Sequence, residues 1–218
     1  MLMNKVLPIA LLLLLGACES AYYGAWEKVG VYKRDILRDR VEEAMASQED
    51  AKEEFRTTLE RFEAVAGKQD GALKSAYEDL QSAYDDADAR ASDVSSRIAA
   101  VEDVSGDLFD EWSREIGEIS NPKLRASSNR QLQSSKKAYA GLLKAMRQAE
   151  ARMQPVLTAF KDQVLFLKHN LNAQAIASLR GELSGIENDV ARLIADMEEA
   201  IGRSQAFLKE LENSGGAA

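Results

Sequence analysis

Residues 176–211 read IASLRGELSGIENDVARLIADMEEAIGRSQAFLKEL, with Ile176, Leu179, Leu183, Ile186, Val190, Leu193, Met197, Ala200, Ser204, Phe207 and Leu211 falling at steps of three and four. Steps of that kind over so many turns lay one stripe along a single helix face, whereas a half-buried strand would alternate every second residue. A stripe this long is covered only by other helices lying lengthwise against it.

Three more seams precede it. The first is Leu37, Val41, Ala44, Gln48, Ala51, Phe55, Thr58, Phe62 and Val65, broken by Gly67-Lys68-Gln69-Asp70-Gly71. The second runs Leu73, Tyr77, Leu80, Tyr84, Ala87, Ala91, Val94, Ile98, Val101, Ser105, Leu108, Trp112 and Ile116, with a weak point at Ser105-Gly106. Asn121-Pro122 then reads as an N-cap with proline in the first turn. The third seam runs Leu132, Ser135, Tyr139, Leu142, Met146, Ala149, Met153, Val156, Phe160, Gln163 and Leu167, and Pro155 within it predicts a kink. Lys168-His169-Asn170-Leu171-Asn172 has turn chemistry and places a loop there, the alternative being a third helix that runs on to about Arg180.

The predicted fold is all-α: an elongated antiparallel four-helix bundle, coiled-coil-like, with helices over 25–66, 72–119, 122–168 and 172–212 and a disordered tail over 213–218. Such helices are each roughly 60–70 Å long, and short connections make neighbours antiparallel. Folding about Gln69 sets Trp26 beside Trp112, and folding the layers together brings Thr58 and Gln163 to one level.

Charge is sorted helix by helix. The second helix carries four basic and thirteen acidic residues, the third ten basic and two acidic, and the first and fourth are mildly acidic. Lys123, Arg125, Arg130, Lys136, Lys137, Lys144, Arg147 and Arg152 therefore read either as a patch for an anionic partner or, more simply, as the internal complement of two acidic neighbours. The chain as a whole has a net charge of −8, which argues against nonspecific nucleic-acid binding.

The N-terminus carries an address. Met1-Leu2-Met3-Asn4-Lys5 is a short positive region, Val6 to Leu15 is apolar apart from Pro8, and Leu15-Gly16-Ala17-Cys18 follows. The apolar run is about half of the ~20 residues a spanning helix needs. Small residues before the only cysteine resemble a bacterial lipobox, in which the thiol takes a diacylglyceryl group and becomes the mature N-terminus. Residues 1–17 are then a lipoprotein signal peptide and 18–24 a lipid-anchored linker, with Cys18 the lipidation site. Several acyl chains hold a protein on a membrane firmly where one does not. Glu19 after the cysteine, where an Asp resembles an inner-membrane retention signal, leans toward the outer membrane. The expected location is the envelope of a Gram-negative-type bacterium, facing the periplasm.

Other chemistry is missing. One cysteine forbids an internal disulfide, and one cysteine with one histidine cannot build a Cys/His zinc site. No Glu-x-x-His pair, haem attachment motif, nucleophile elbow or glycine-rich phosphate loop occurs. Glu42-Glu43, Glu49-Asp50, Glu53-Glu54 and Asp85-Asp86-Asp88 lack a calcium loop and read as a solvated face. No catalytic residue, metal or cofactor is expected.

Val29-Gly30-Val31-Tyr32-Lys33-Arg34-Asp35-Ile36-Leu37, followed by Arg40-Val41-Glu42 and Gln48, and the later Phe166-Leu167-Lys168-His169-Asn170-Leu171-Asn172-Ala173, resemble an uncharacterised family of bacterial envelope proteins, Domain of Unknown Function 2959. The resemblance covers essentially the whole mature chain and implies a helical envelope protein with no assigned activity. The unusual composition of both stretches makes Lys33, Arg34, Asp35, Lys168, His169, Asn170 and Asn172 a candidate interaction surface. The expected function is a non-enzymatic, lipid-anchored periplasmic coiled-coil protein, serving as scaffold, spacer or module for an envelope protein partner. The alternative is a ligand-sensing or lipid-carrying bundle, suggested by the polar seam residues and Pro155. Homo-oligomerisation stays open, because a seam with small residues at Ala44, Ala51, Ala87 and Ala91 could pair between chains as well as within one.

Overall fold

A computed structural model describes residues 33–67, 73–170 and 172–215, and four helices make up nearly all of these described residues. They are α1 (Lys33–Ala66), α2 (Leu73–Glu118), α3 (Pro122–His169) and α4 (Ala173–Gly215), and there is no strand among the described residues. The signal peptide, Cys18, the linker, Trp26 with its expected pairing to Trp112, and most of the Gly67–Gly71 turn lie outside the described residues. At 34 to 48 residues each, the helices are about 50 to 70 Å long.

Each helix packs on two others: α1 on α2 and α4, and α3 on α2 and α4. The directions alternate. Along α1 and α2, Glu43 meets Arg97, Asp50 meets Arg90 and Arg61 meets Asp86, so numbers rise on one helix as they fall on the other. Ser128 meeting Trp112 and Arg147 meeting Glu102 set the same sense for α3 on α2, and Ser134 meeting Glu210 and Arg152 meeting Asp196 set it for α3 on α4. Arg180 of α4 reaching Ala66 of α1 closes the ring. The result is an antiparallel four-helix bundle.

All nine residues of the first seam are buried, as are the third-seam residues apart from the half-buried Tyr139 and Gln163. Ala44, Ala51 and Ala87 are fully covered and Ala91 is 7% exposed, so the stripe of small residues is used within the chain. Across the diagonal the space is wider and aromatic. Phe160 of α3 stacks on Phe62 and Phe55 of α1, with ring centroids 4.7 and 6.4 Å apart. A second layer joins Phe109, Tyr139 and Phe207 of three different helices.

The α2–α3 and α3–α4 connections are bounded by asparagine caps. Asn121 Oδ1 accepts from the backbone N–H of Lys123 and Leu124, at 2.9 and 3.4 Å, with Pro122 in the first turn where its missing donor costs nothing. Asn170 closes α3, its Nδ2 donating to the Phe166 carbonyl at 2.9 Å. Asn172 opens α4 by accepting from Gln174 and Ala175 N–H at 3.0 and 3.2 Å. The third helix therefore stops at His169 and does not run on to Arg180.

Local differences from the expected pattern have physical causes. α2 passes through Ser105-Gly106 without a break, the Ser105 hydroxyl donating back to the Glu102 carbonyl at 2.8 Å. Beyond that point Phe109 takes the buried position and Leu108 is half-buried, because the stripe drifts when 3.6-residue turns carry a repeat nearer 3.5. α3 continues through Pro155, whose ring is on the exposed side, where water can serve the carbonyl that loses its partner. α4 extends to Gly215, which leaves 216–218 of the expected tail outside the described residues.

Candidate functional site

Trp112 lies on α2 at the level where α1 begins. Its indole Nε1 donates to Ser128 Oγ of α3 at 3.0 Å, which fixes the ring across the α2–α3 hairpin. The Arg34 guanidinium sits 5.4 Å from the centre of that ring, close enough for a cation–π attraction of roughly 0.5–1 kcal/mol. Beside it Lys33 Nζ is 3.1 Å from Glu111 Oε2, both side chains being largely covered. Lys33, Arg34, Asp35, Glu111, Trp112 and Glu115 border an open groove of about 560 Å³. Such a groove combines one aromatic face with carboxylates and cations, a lining suited to recognising a charged group.

Lys33, Arg34 and Asp35 are thus together. Lys168, His169, Asn170 and Asn172 are not with them. They lie at the opposite end of the bundle, one length of α1 away, about 50 Å. Asn170 and Asn172 are engaged in capping, while Lys168 and His169 are exposed on the last turn of α3. Leu165 and Phe166 are exposed just before them, at 43% and 39%. The two stretches singled out in the sequence therefore form two separate surfaces at the two ends of a rod.

The basic residues of α3 divide in two. Arg147 bonds Glu102 of α2 and Glu150 of its own helix, and these two hydrogen bonds push its already high pKa further up. Arg152 pairs with Asp196 of α4. Lys136 lies 5.7 Å from the Phe109 ring centre. Lys123, Arg125, Arg130, Lys137 and Lys144 have no carboxylate within 4 Å among the described residues, and Arg125 donates instead to the Ile119 carbonyl at 2.9 Å. Internal charge complementarity holds for the middle of α3 and not for its first half.

The polar seam residues also separate. The Thr58 hydroxyl donates across to the Ala83 carbonyl at 3.2 Å, and that bond involves no contact with Gln163. Gln163 keeps an unpartnered buried Oε1, and Gln48, fully covered, leaves both amide atoms without a partner. Thr58 and Gln163, expected at one level, share no hydrogen bond. Tyr139 is half-buried, and burial raises its phenol pKa although a Ser105 hydrogen bond works the other way. Ser47, missed as a contact residue in the sequence, donates to Asp93 of α2 at 2.6 Å, where the alanines bring α1 and α2 together.

Among the described residues no three His, Cys, Asp or Glu side chains are placed to hold a metal ion, and no helix is long and apolar enough to cross a membrane. A family model described as "Protein of unknown function (DUF2959)" matches residues 22–211. No curated protein matches the chain.

Proposed function

The chain belongs to the DUF2959 family, and from its own residues we propose that it is a non-enzymatic lipoprotein of the bacterial envelope, a rigid post that holds a partner at a set distance from the membrane. Cys18 carries the lipid, and residues 1–17 are removed. The observation that carries this reading is polarity along the axis. The chain reaches α1 at the end where Lys33 meets Glu111, so a tether at Cys18 holds that end, and the α3–α4 turn stands about 50 Å or more away.

The small residues of the seam are covered within one chain, which supports a monomeric post over a coil shared between copies. The outer membrane is the favoured site because Glu19 follows the cysteine. Leu165, Phe166, Lys168 and His169 at the far end form the surface offered to an envelope protein.

Cross-linking in intact cells through a photoreactive group at residue 166 tests this. A reproducible envelope protein captured there, and lost on moving the group to the middle of α4, is the expected result. Turnover of a defined substrate by the purified protein would overturn the non-enzymatic reading. A ligand-carrying bundle is the second reading, favoured by the unpartnered Gln48 amide in the core. It expects a thermal shift with a small polar or amphiphilic molecule that disappears in Gln48→Leu.

A further inference from the structure

The tip of the α2–α3 hairpin carries a feature that the bundle itself does not use. Leu124 is 59% exposed, the most exposed of the large apolar side chains described. Its neighbours Lys123, Arg125 and Arg130 are exposed, and none has a carboxylate within 4 Å among the described residues. From Trp112 to Lys137 the sequence holds six basic and two acidic residues (Glu115 and Glu118), and no acid occurs between Glu118 and Glu150.

The tip is also well braced. Phe109, Ile116 and Leu132 form a small core of their own, with Trp112, Ile119 and Tyr139 packed against it. Asn121 caps α3 from within the turn, and Arg125 ties back to Ile119. Leu124 is excluded from that cluster although it lies within a few residues of it. A braced hairpin that turns one leucine and three cations outward presents an apolar side chain ringed by positive charge.

Position says what meets it. The tip lies at the end of the bundle where α1 starts, since Lys33 pairs with Glu111 and Ser134 meets Glu210 near the end of α4. The chain before Lys33 includes Cys18 and the apolar run from Val6 to Leu15. Whatever surface holds that segment is within reach of the hairpin tip, since Trp112 lies about 9 Å from the end of α2 at Glu118.

We propose that this tip docks on anionic phospholipid headgroups, with Leu124 entering the interface and Lys123, Arg125 and Arg130 against phosphates, so that the bundle stands end-on. The geometry rests on the anchored reading above. Lysine or arginine near an anionic surface gains about fivefold in partition per residue, and a leucine in the interface adds a short-range apolar contribution. Glu115, Glu118, Glu210 and Glu212 lie at the same end of the bundle and subtract from the attraction, so the binding depends on charge and weakens in salt.

The acylated full chain with an environment-sensitive dye on Ala126→Cys tests the docking, wild type carried through the same labelling serving as background. On vesicles of phosphatidylethanolamine and phosphatidylglycerol the dye should turn blue and be quenched by lipid-borne nitroxides. The response should fall about fivefold for each of Lys123→Gln and Arg130→Gln, and should be absent on phosphatidylcholine alone. A dye on Ser178→Cys at the far end should stay silent. An equal response on both vesicle types, or none, overturns the docking. A response at residue 178 as well overturns the end-on geometry. Tethering is read separately by flotation of the same protein on phosphatidylcholine vesicles, so loss of flotation counts against the anchor and a silent tip dye counts against the docking.

Discussion

The Arg180 guanidinium donates from Nε and Nη2 to the carbonyl oxygen of Ala66, at 3.2 and 2.7 Å. Ala66 is the last residue of α1, and its carbonyl has no partner along its own helix. An arginine from the second turn of α4 thus completes a helix that ended more than a hundred residues earlier, and joins the first and last helices. A charged donor to a helix C-terminus is also favourable to the helix dipole. Arg180→Ala should cost about 1 kcal/mol, and a bundle of this size should lose roughly 2–4 °C in Tm. Arg180→Lys should recover part of that loss. Thermal unfolding by circular dichroism is the measurement, and an unchanged Tm in Arg180→Ala would show the bond contributes nothing.

Gln48 presents the opposite case. Its amide is fully covered and bonds nothing, which costs about 1–3 kcal/mol relative to an apolar group of like shape. Gln48→Leu should therefore raise the urea midpoint. A lower midpoint would mean that the amide makes interactions in solution that outweigh its burial.

The stacked rings on the diagonal hold α1 to α3. Phe160 is fully buried against Phe62 and Phe55. Phe160→Ala leaves a void that the helices close only in part and should cost about 3–5 kcal/mol. Phe160→Leu should cost less than half of that. Equal losses in the two variants would say that the ring geometry matters more than the volume.

Glu43 accepts from Arg40 and from Arg97, each at 2.8 Å. The Arg40 hydrogen bond chiefly holds its carboxyl below the ordinary glutamate range. A depressed folded-state pKa means that the unfolded chain binds the proton more readily, so the stabilisation is present above the unfolded value and lost as pH falls through the folded one. The side chain is 41% exposed, so the effect is small and screened by salt. The stability gap between wild type and Glu43→Gln should accordingly be visible at neutral pH and close in acid. A gap that persists in acid would place the effect in packing instead of charge.

Much of this bundle was legible because it rests on local rules. Seam spacing identified the covered face of each helix, since a helix can hide only one stripe. Asn121, Asn170 and Asn172 act at their own helix ends, so their capping chemistry shows within a few residues of sequence. Contacts that depend on the third dimension were hidden. Arg180 serves a carbonyl on another helix, and Ser47 serves a carboxylate across α1 and α2.

Charge shows the boundary most clearly. Net charges per helix made α3 the natural partner of its neighbours, and Arg147 and Arg152 do pair with α2 and α4. Net charge says nothing of which way each side chain faces, and Lys123, Arg125 and Arg130 face away. The two stretches with unusual composition could likewise be singled out from sequence. Their separation to opposite ends, about 50 Å apart, follows only from folding the hairpins.

The most direct measurement is mass spectrometry of the N-terminal peptide from protein taken from its native envelope. A mature chain starting at Cys18, its sulfur in thioether linkage to a diacylglyceryl group, is the expected result. An unprocessed chain, or one whose Cys18 retains a free thiol, would contradict the tethered post.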